Sequence, residues 1–340
     1  MRKLAIVILN WNGAEMMRRY LPTVLENSSV GEVVVADNAS TDGSVEMLLR
    51  EFPQVRVIVL EQNFGFAEGY NRALDELPDY EYYLLLNSDV EIRQKGWDVP
   101  MVKYMDGHPE CAACQPKLLS LREPDMFEYA GAAGGFLDRY GYPFCRGRVM
   151  NTVEKDEGQY DEVVPLLWAT GAALLVRASD WRASGGLDAR FFAHMEEIDL
   201  CWRLRTMGRT IVCVSDSKAY HLGGATLNQG NPHKTFLNFR NNLLMLHKNL
   251  PQDEYSKVMR MRRMLDYVAA LQYLLKGDLG NARAVVKARK EYRRICRDFD
   301  ADRQKIQHTR TVAHVPERTG FLLLWQCYVK GKRTFAELMK

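Results

Sequence analysis

No stretch of this chain approaches the roughly 18 consecutive apolar residues of a membrane span, so no transmembrane helix is expected. The start, Met1-Arg2-Lys3 followed by Leu4 to Leu9, mimics a secretory leader. Its apolar run is too short, and Asn10-Trp11-Asn12-Gly13 interrupts it. The seven cysteines make no framework. Cys111-x-x-Cys114 has redox or zinc spacing, but no second pair follows at zinc-site distance. Small neutral cysteines in a reducing compartment fit better than a disulfide-stapled scaffold. There is no zinc-finger spacing and no RNA-binding signature, so no nucleic-acid partner is expected. These absences together point to a cytoplasmic protein.

What is present is uneven. The 340 residues are 47% hydrophobic and 26% charged, ordinary for a globular chain long enough for one large domain and an appendage. The net charge of +3 hides two opposed parts. From Arg240 onward there are 22 Lys+Arg against 10 Asp+Glu, a net of +12, whereas the rest carries −9. A basic tail on an acidic front suggests an anionic partner for the tail.

The most informative stretch is Leu84-Leu85-Leu86-Asn87-Ser88-Asp89, an apolar run ending in a polar triplet. Such a run reads as a strand buried on both faces, as in a parallel sheet. Ligands of open α/β sheets sit beyond the carboxyl ends of the strands, where a carboxylate can hold a divalent cation against a diphosphate. Taken alone, the triplet equally makes a turn or a helix cap. The spacing predicts further strands over 4–9, 33–36 and 55–60, a strand over 82–86, and helices over 15–26, 44–51 and 67–77. Each strand ends in a polar or Gly-rich cluster: 10–13, 37–43, 63–66 and 87–89. Four such clusters converging on one rim suit a nucleotide cleft. Farther on, 131–147 and 154–161 read as loops, 163–176 as a strand, 196–207 as a helix and 210–214 as a strand. Past Pro232 the pattern is helical, over 235–250, 255–276, 280–299 and 320–335. A catalytic domain over 1–230 and a basic helical region over 231–340 are therefore expected.

As an ordered set these segments resemble the family 2 glycosyltransferases with a GT-A fold, an α/β, Rossmann-like, mostly parallel sheet, and especially their rhamnosyltransferase-like branch. The matching stretches are Ile8-Leu9-Asn10-Trp11-Asn12-Gly13, Ala36-Asp37-Asn38-Ala39-Ser40-Thr41-Asp42-Gly43-Ser44, Asn63-Phe64-Gly65-Phe66-Ala67 with Asn71, and Asn87-Ser88-Asp89. Thr170-Gly171-Ala172, Phe191 to Arg203 and Ala219-Tyr220-His221-Leu222-Gly223-Gly224 complete them. The resemblance covers about residues 4 to 225.

It implies a sugar moved, with inversion, from a nucleotide-sugar donor to a hydroxyl of a glycan or lipid-linked acceptor in cell-surface polysaccharide assembly. Rhamnose from dTDP-rhamnose is the branch's suggestion for the donor. Asp37 would bind the nucleotide base, with Asn10, Asn12, Asn38, Asn63, Gly65 and Asn71 around the donor. Asn87 stands where the family motif has an acid. Asp89, completed by His221, would hold Mg²⁺ or Mn²⁺. Glu196-Glu197 occupies the place of the family's catalytic acids. Glu197 is the expected base, Glu196 the alternative, and Asp199 a third carboxylate that would raise their pKa by repulsion. Arg203 and Arg240 are candidates for the diphosphate region.

The tail adds a basic amphipathic pattern over 255–276 and an apolar run with basic residues over 321–333, which could lie on an anionic inner membrane face. Two other classes share parts of this pattern. A sugar nucleotidyltransferase needs a Gly-rich loop with Arg and Lys after the first strand, where this chain has Asn10-Trp11-Asn12-Gly13. A non-catalytic nucleotide- or carbohydrate-binding protein would bind donor without releasing nucleoside diphosphate.

Overall fold

The computed structural model describes residues 1–223 and 230–340. In chain order the strands are β1 (Arg2–Asn10), β2 (Gly31–Asp37), β3 (Arg56–Val59), β4 (Tyr80–Asn87), β5 (Val90–Glu91) and β6 (Cys111–Ser120). They continue with β7 (Gly135–Leu137), β8 (Pro143–Cys145), β9 (Arg148–Val149), β10 (Thr152–Val153), β11 (Ala173–Arg177) and β12 (Thr210–His221). The helices are α1 (Ala14–Asn27), α2 (Ser44–Glu51), α3 (Gly65–Asp75), α4 (Asp98–Gly107), α5 (Ala178–Ser184) and α6 (Glu196–Thr206). Six more follow: α7 (Pro232–Asn249), α8 (Gln252–Leu275), α9 (Leu279–Ile295), α10 (Asp300–Thr309), α11 (Leu323–Tyr328) and α12 (Phe335–Met339).

The main sheet runs β3-β2-β1-β4-β11-β6-β12-β5. The first four strands are parallel, β6 is parallel to β12, and β11 lies antiparallel between β4 and β6. Alternation along β1 sorts its side chains to two sides. Ala5 and Val7 join the core shared with α3, α6 and α7, whereas Leu4, Ile6 and Ile8 join the one shared with α1, α2 and α4. The doubly buried Leu84, Leu85 and Leu86 follow the same rule.

Strand register builds the rim. Asn10 pairs with Asp37 across β1 and β2, and Leu9 pairs with Asn87 across β1 and β4, so three polar strand ends stand side by side. The antiparallel pairing of β5 with β12 sets Val90 opposite His221 and so carries Asp89 to the imidazole.

The middle of the chain departs from the periodicity. Only Ala173–Arg177 of the expected 163–176 strand joins the sheet. Residues 165–170 are instead held by isolated contacts: Leu166 N–H to Ile211 O (2.8 Å), an antiparallel bridge in which Gly135 N–H donates to Trp168 O (2.9 Å), and Thr170 N–H to Gln115 Oε1 (2.9 Å). The expected 320–335 helix is broken, because Gly331 takes a left-handed φ of 72° and Thr334 caps a new helix reciprocally with Glu337. Phe321 and Phe335 turn inward onto Phe144. Strand β6, helices α4 and α10 and the small β10-β9-β8-β7 sheet lie in regions where no element was expected.

The helices beyond residue 230 do not stand apart. Leu243, Leu244, Met245 and Leu246 of α7, Val258 of α8 and Tyr292 of α9 share one hydrophobic cluster with Val7, Leu85, Trp202 and Leu204.

The start of β2 is fastened by a single buried carboxylate. Asp98 accepts hydrogen bonds from the backbone N–H groups of Ser29 (2.9 Å), Val30 (2.8 Å) and Gly31 (2.8 Å). Its removal leaves three amides to find new partners. Asp98→Ala is expected to lose about 2–4 kcal/mol of stability in urea unfolding. A loss below about 1 kcal/mol would mean that water replaces the carboxylate without penalty.

Candidate active site

The donor side of the rim is a hydrogen-bonded chain of amides and one acid. Asn10, fully buried, donates from Nδ2 to Asp37 Oδ2 (2.9 Å), while its Oδ1 finds no protein partner. A Cβ on Gly13 would stand 2.4 Å from that oxygen, so the loop approaches Asn10 only as glycine. Asp37 Oδ1 accepts the Ser40 N–H (2.8 Å), the local turn that such a residue makes unaided. Asn12 has a left-handed φ of 50° and accepts the Thr41 N–H through Oδ1 (2.7 Å). Asn38 donates to Asn63 Oδ1 (3.0 Å) and Gly65 O (3.0 Å) and accepts from Phe64 N–H (2.9 Å), tying the loop after β3 to the end of β2. Gly65 is fixed by both φ (+75°) and space, because a Cβ there would meet the Phe192 ring at 2.8 Å.

On the next strands, His221 Nε2 faces Asp89 Oδ1 at 3.1 Å and Asn87 Nδ2 at 3.4 Å. On its other side, Nδ1 lies 3.3 Å from Glu128 Oε1, near enough for an ion pair but poorly aligned for a hydrogen bond. Burial alone would lower the His221 pKa. The two carboxylates outweigh it and push the imidazole up to about 10. Burial likewise works to raise Asp89, and the hydrogen bond and attraction from His221 leave it below its ordinary value. Asp89, His221 and Asn87 are thus brought together. Gly224, the last residue of the His221 motif, lies outside the described residues.

The acidic segment enters α6 through strained backbone. Phe192 has φ 66° and ψ −58°, and the Ala193 N–H bonds to Phe191 O (2.8 Å), which makes a γ-turn of the rare, strained kind. His194 (φ 71°) and Met195 (φ 75°) continue in left-handed conformations. Asn241 of α7 holds this segment by donating to the carbonyls of Phe191 (2.9 Å), Ala193 (2.8 Å) and His194 (2.8 Å). Arg240 adds a bond to Phe191 O (3.0 Å).

Glu196 is buried and Glu197 half-buried, and the Oε2 of each lacks a hydrogen-bond partner among the described residues. Burial pushes both carboxyls up, and in Glu196 repulsion from Glu197 adds to it. The expected repulsion acts on Glu196, from Glu197 and more weakly from Asp199, while loss of water is the larger cause there and the raising cause at Glu197.

Three candidates are committed elsewhere. Asp199, with no exposed surface, accepts from Arg203 Nε (2.9 Å), Lys248 Nζ (2.8 Å) and Asn249 Nδ2 (2.7 Å). Arg203 also donates to the carbonyls of Ser184 (2.6 Å) and Gly186 (2.7 Å), so its guanidinium is taken up by Asp199 and the backbone. Asn71 is bonded at both ends to the Leu187 backbone (2.8 and 3.0 Å). Asn71 and Arg203 line a separate hollow of about 330 Å³ beside the 184–190 turn and α10. In each case an amide or charge that composition marks as ligand-like is used to fasten a loop.

The Thr170–Ala172 turn joins the two halves of the site. Ala172 O accepts the Asn87 N–H (3.0 Å). A Cβ on Gly171 would stand 3.3 Å from Phe66 and 3.7 Å from Glu197 Cβ. Donor-side loop, acid–histidine pair and acidic helix start therefore meet at one place. Sequence reasoning missed Glu128, which carries no motif, and did not anticipate that Lys248 and Asn249 would encircle Asp199. It also missed His194 as a second group with an unpartnered ring nitrogen there. Among the described residues, Asp253, Glu254 and His314 form the one three-residue group with clustered metal-type ligands. Glu254 there is already paired with Arg318 (2.7 Å) and His314 (3.1 Å).

The mostly parallel sheet with its polar cluster at the strand ends has the GT-A fold. It is similar to GalNAc-T7, solved with UDP, GalNAc and Mn²⁺, at TM-score 0.60 and 15% identity over 93% of this chain and 58% of that one. Residues 1–349 of Staphylococcus aureus TarS, solved with UDP-GlcNAc, match at TM-score 0.56 and 14% identity, over 90% and 91% of the two chains.

Sequence narrows the class. Residues 5–125 match the family described as Glycosyl transferase family 2. The N-acetylglucosaminyl-diphospho-decaprenol L-rhamnosyltransferase of Mycobacterium tuberculosis is 27% identical over 236 residues, 64% of this chain and 75% of that protein. Rhamnosyltransferase WbbL of Escherichia coli is 23% identical over 225 residues, 64% and 82% of the two. Residues 5–125 thus match glycosyltransferase family 2, and the chain is similar to these two rhamnosyltransferases.

The γ-turn and the three carbonyls on Asn241 generate a test of how the acidic helix start is held. Asn241→Ala is expected to cost about 1–3 kcal/mol and to quicken amide exchange selectively over residues 191–196. Unchanged exchange there would mean that the strained segment holds itself.

Proposed function

We propose that this glycosyltransferase is an inverting enzyme that uses a nucleotide sugar, dTDP-rhamnose being the first to try. The acceptor is a hydroxyl of a glycan or lipid-linked saccharide presented at the inner membrane face during cell-surface polysaccharide assembly. The observation that carries the reading is the Thr170–Ala172 turn. It links Asn87, which neighbours Asp89 and His221, to Glu197, the half-buried acid with an unpartnered oxygen. The rhamnosyltransferase relatives support the donor, and the decaprenol-linked substrate in one relative's name supports the acceptor class.

Asp37, with Asn10 and Asn38 beside it, would take the nucleotide base and ribose, and Asn12, Asn63 and Gly65 would shape that pocket. Asp89 and His221 would hold Mg²⁺ or Mn²⁺. A carboxylate and an imidazole facing each other at 3.1 Å are a fitting donor pair, with the remaining positions left for diphosphate oxygens. Such a cation would offset charge on the departing nucleoside diphosphate. Glu128 would orient the imidazole from behind, as carboxylates do for metal-binding histidines.

Glu197, ionised, would accept the proton of the attacking hydroxyl, while Glu196 stays neutral beneath it. Asp199, Arg203 and Arg240 hold the site together and do not touch substrate. Residues 231–340 form a basic helical region whose first helix braces the base, so catalytic domain and tail work as one unit.

Three measurements test this. Nucleoside diphosphate release from UDP-, GDP- and dTDP-sugars, with an acceptor present, should be metal-dependent for one donor and lost in Asp89→Ala. Donor binding without release by the wild type would favour a non-catalytic binding protein. Glu197→Gln should lower turnover by about 10²–10⁴-fold with donor binding kept, and Glu196→Gln by much less. A raised carboxyl loses its base form as pH falls, so kcat/KM should drop on the acid side with a midpoint above the usual value of about 4.3. Full activity at that pH would remove Glu197 from the role.

A further inference from the structure

Helix α8 buries one face and leaves the opposite one bare. Val258, Arg262, Asp266 and Ala270, four residues apart, pack inward. Met264, Tyr267, Val268, Leu271, Leu274 and Leu275 fall on the other side at i, i+3, i+4, i+7, i+10 and i+11, each between 43% and 79% exposed. No described residue covers this stripe. Lys257 and Arg260, exposed and one and two turns earlier on the same line, continue it as positive charge.

The neighbouring helix supplies more. On α9, Arg283, Lys287, Lys290 and Arg293 are exposed on one face together with Leu279 and Val286. None of the ion pairs among the described residues engages these four cations. The two faces adjoin, because Arg293 Nη2 lies 3.4 Å from the hydroxyl of Tyr267 in the apolar stripe. Among the described residues no helix is long and apolar enough to cross a membrane. An apolar stripe edged by unpaired cations is instead the surface that lies in a bilayer interface among anionic headgroups.

We propose that the α8–α9 hairpin is a docking face for an anionic lipid bilayer, with Met264, Val268, Leu271 and Leu275 entering the interface and the α9 cations contacting headgroups. Charge complementarity selects this occupant over a second copy of the chain, whose own α9 would set like charges opposite these. The face extends the lipid-linked acceptor reading, but binding is measured without donor or acceptor, so either can fail alone. The broken 321–335 segment takes no part in it.

The test is co-flotation of the full chain with phosphatidylcholine vesicles with and without phosphatidylglycerol. Binding to the anionic vesicles only, weakening as salt rises, is expected. Leu271→Glu/Leu275→Glu and Lys287→Glu/Lys290→Glu should each lower partitioning by about tenfold or more. The substituted residues are exposed, so thermal unfolding and donor binding should stay as in the wild type and report that the variants fold. Equal recovery with neutral and anionic vesicles would overturn the proposal. So would light scattering showing a dimer that Leu271→Glu/Leu275→Glu dissociates, with no vesicle binding by the monomer.

Discussion

Asp199 is the interaction on which the arrangement of the site depends. Its carboxylate has no exposed surface and accepts from Arg203 within α6 and from Lys248 and Asn249 at the end of α7. Two positive charges around one buried negative leave no uncompensated acid, and removing any member would strand charge in a dry interior. Through this knot α6 is locked to α7. Eight residues earlier on α7, Asn241 gathers the carbonyls of the γ-turn that leads into Glu196 and Glu197. The helical region that follows the sheet is thereby the clamp on the acidic helix start, and the continuous core beneath it is the physical expression of that dependence.

The two halves of the site meet burial differently. Glu196 and Glu197 lose water and pair with no cation among the described residues, so desolvation prevails and their carboxyls hold protons more tightly. Asp89 loses water too, yet His221 at 3.1 Å keeps it ionised. Acids of one chemical type are thus driven apart in proton affinity within one cleft. Such a division suits a proton acceptor on one side and a cation-binding carboxylate on the other.

Much of the rim was legible in the sequence for a simple reason. A parallel strand buried on both faces is a continuous apolar run, and the residue where the run stops must lie at the rim. Asn10, Asp37, Asn87 and Asp89 could be located in this way without any contact being known. Where periodicity failed, competing local chemistry prevailed. Gly331 and the capping Thr334 cut a helix that its apolar residues alone would continue. Residues 165–170 make isolated bridges and short sets of bonds with three different segments and no continuous ladder. Arg203, Asn71 and Asp199 have side chains equally suited to ligand and scaffold, and only their partners separate the two uses.

By itself, then, the sequence determined the strand–helix alternation, the polar rim, the resemblance to family 2 glycosyltransferases and the acidic start of α6, because each depends on short-range pattern and on where an apolar run ends. Tertiary structure alone decided which carboxylates lack partners among the described residues, that Glu128 stands behind His221, and that α7 braces the segment leading into Glu196 and Glu197. It also decided that the exposed stripe of α8 adjoins the cations of α9. Those outcomes depend on groups up to 132 residues apart in the chain, as Asp89 and His221 are, and no local pattern encodes which of them will meet.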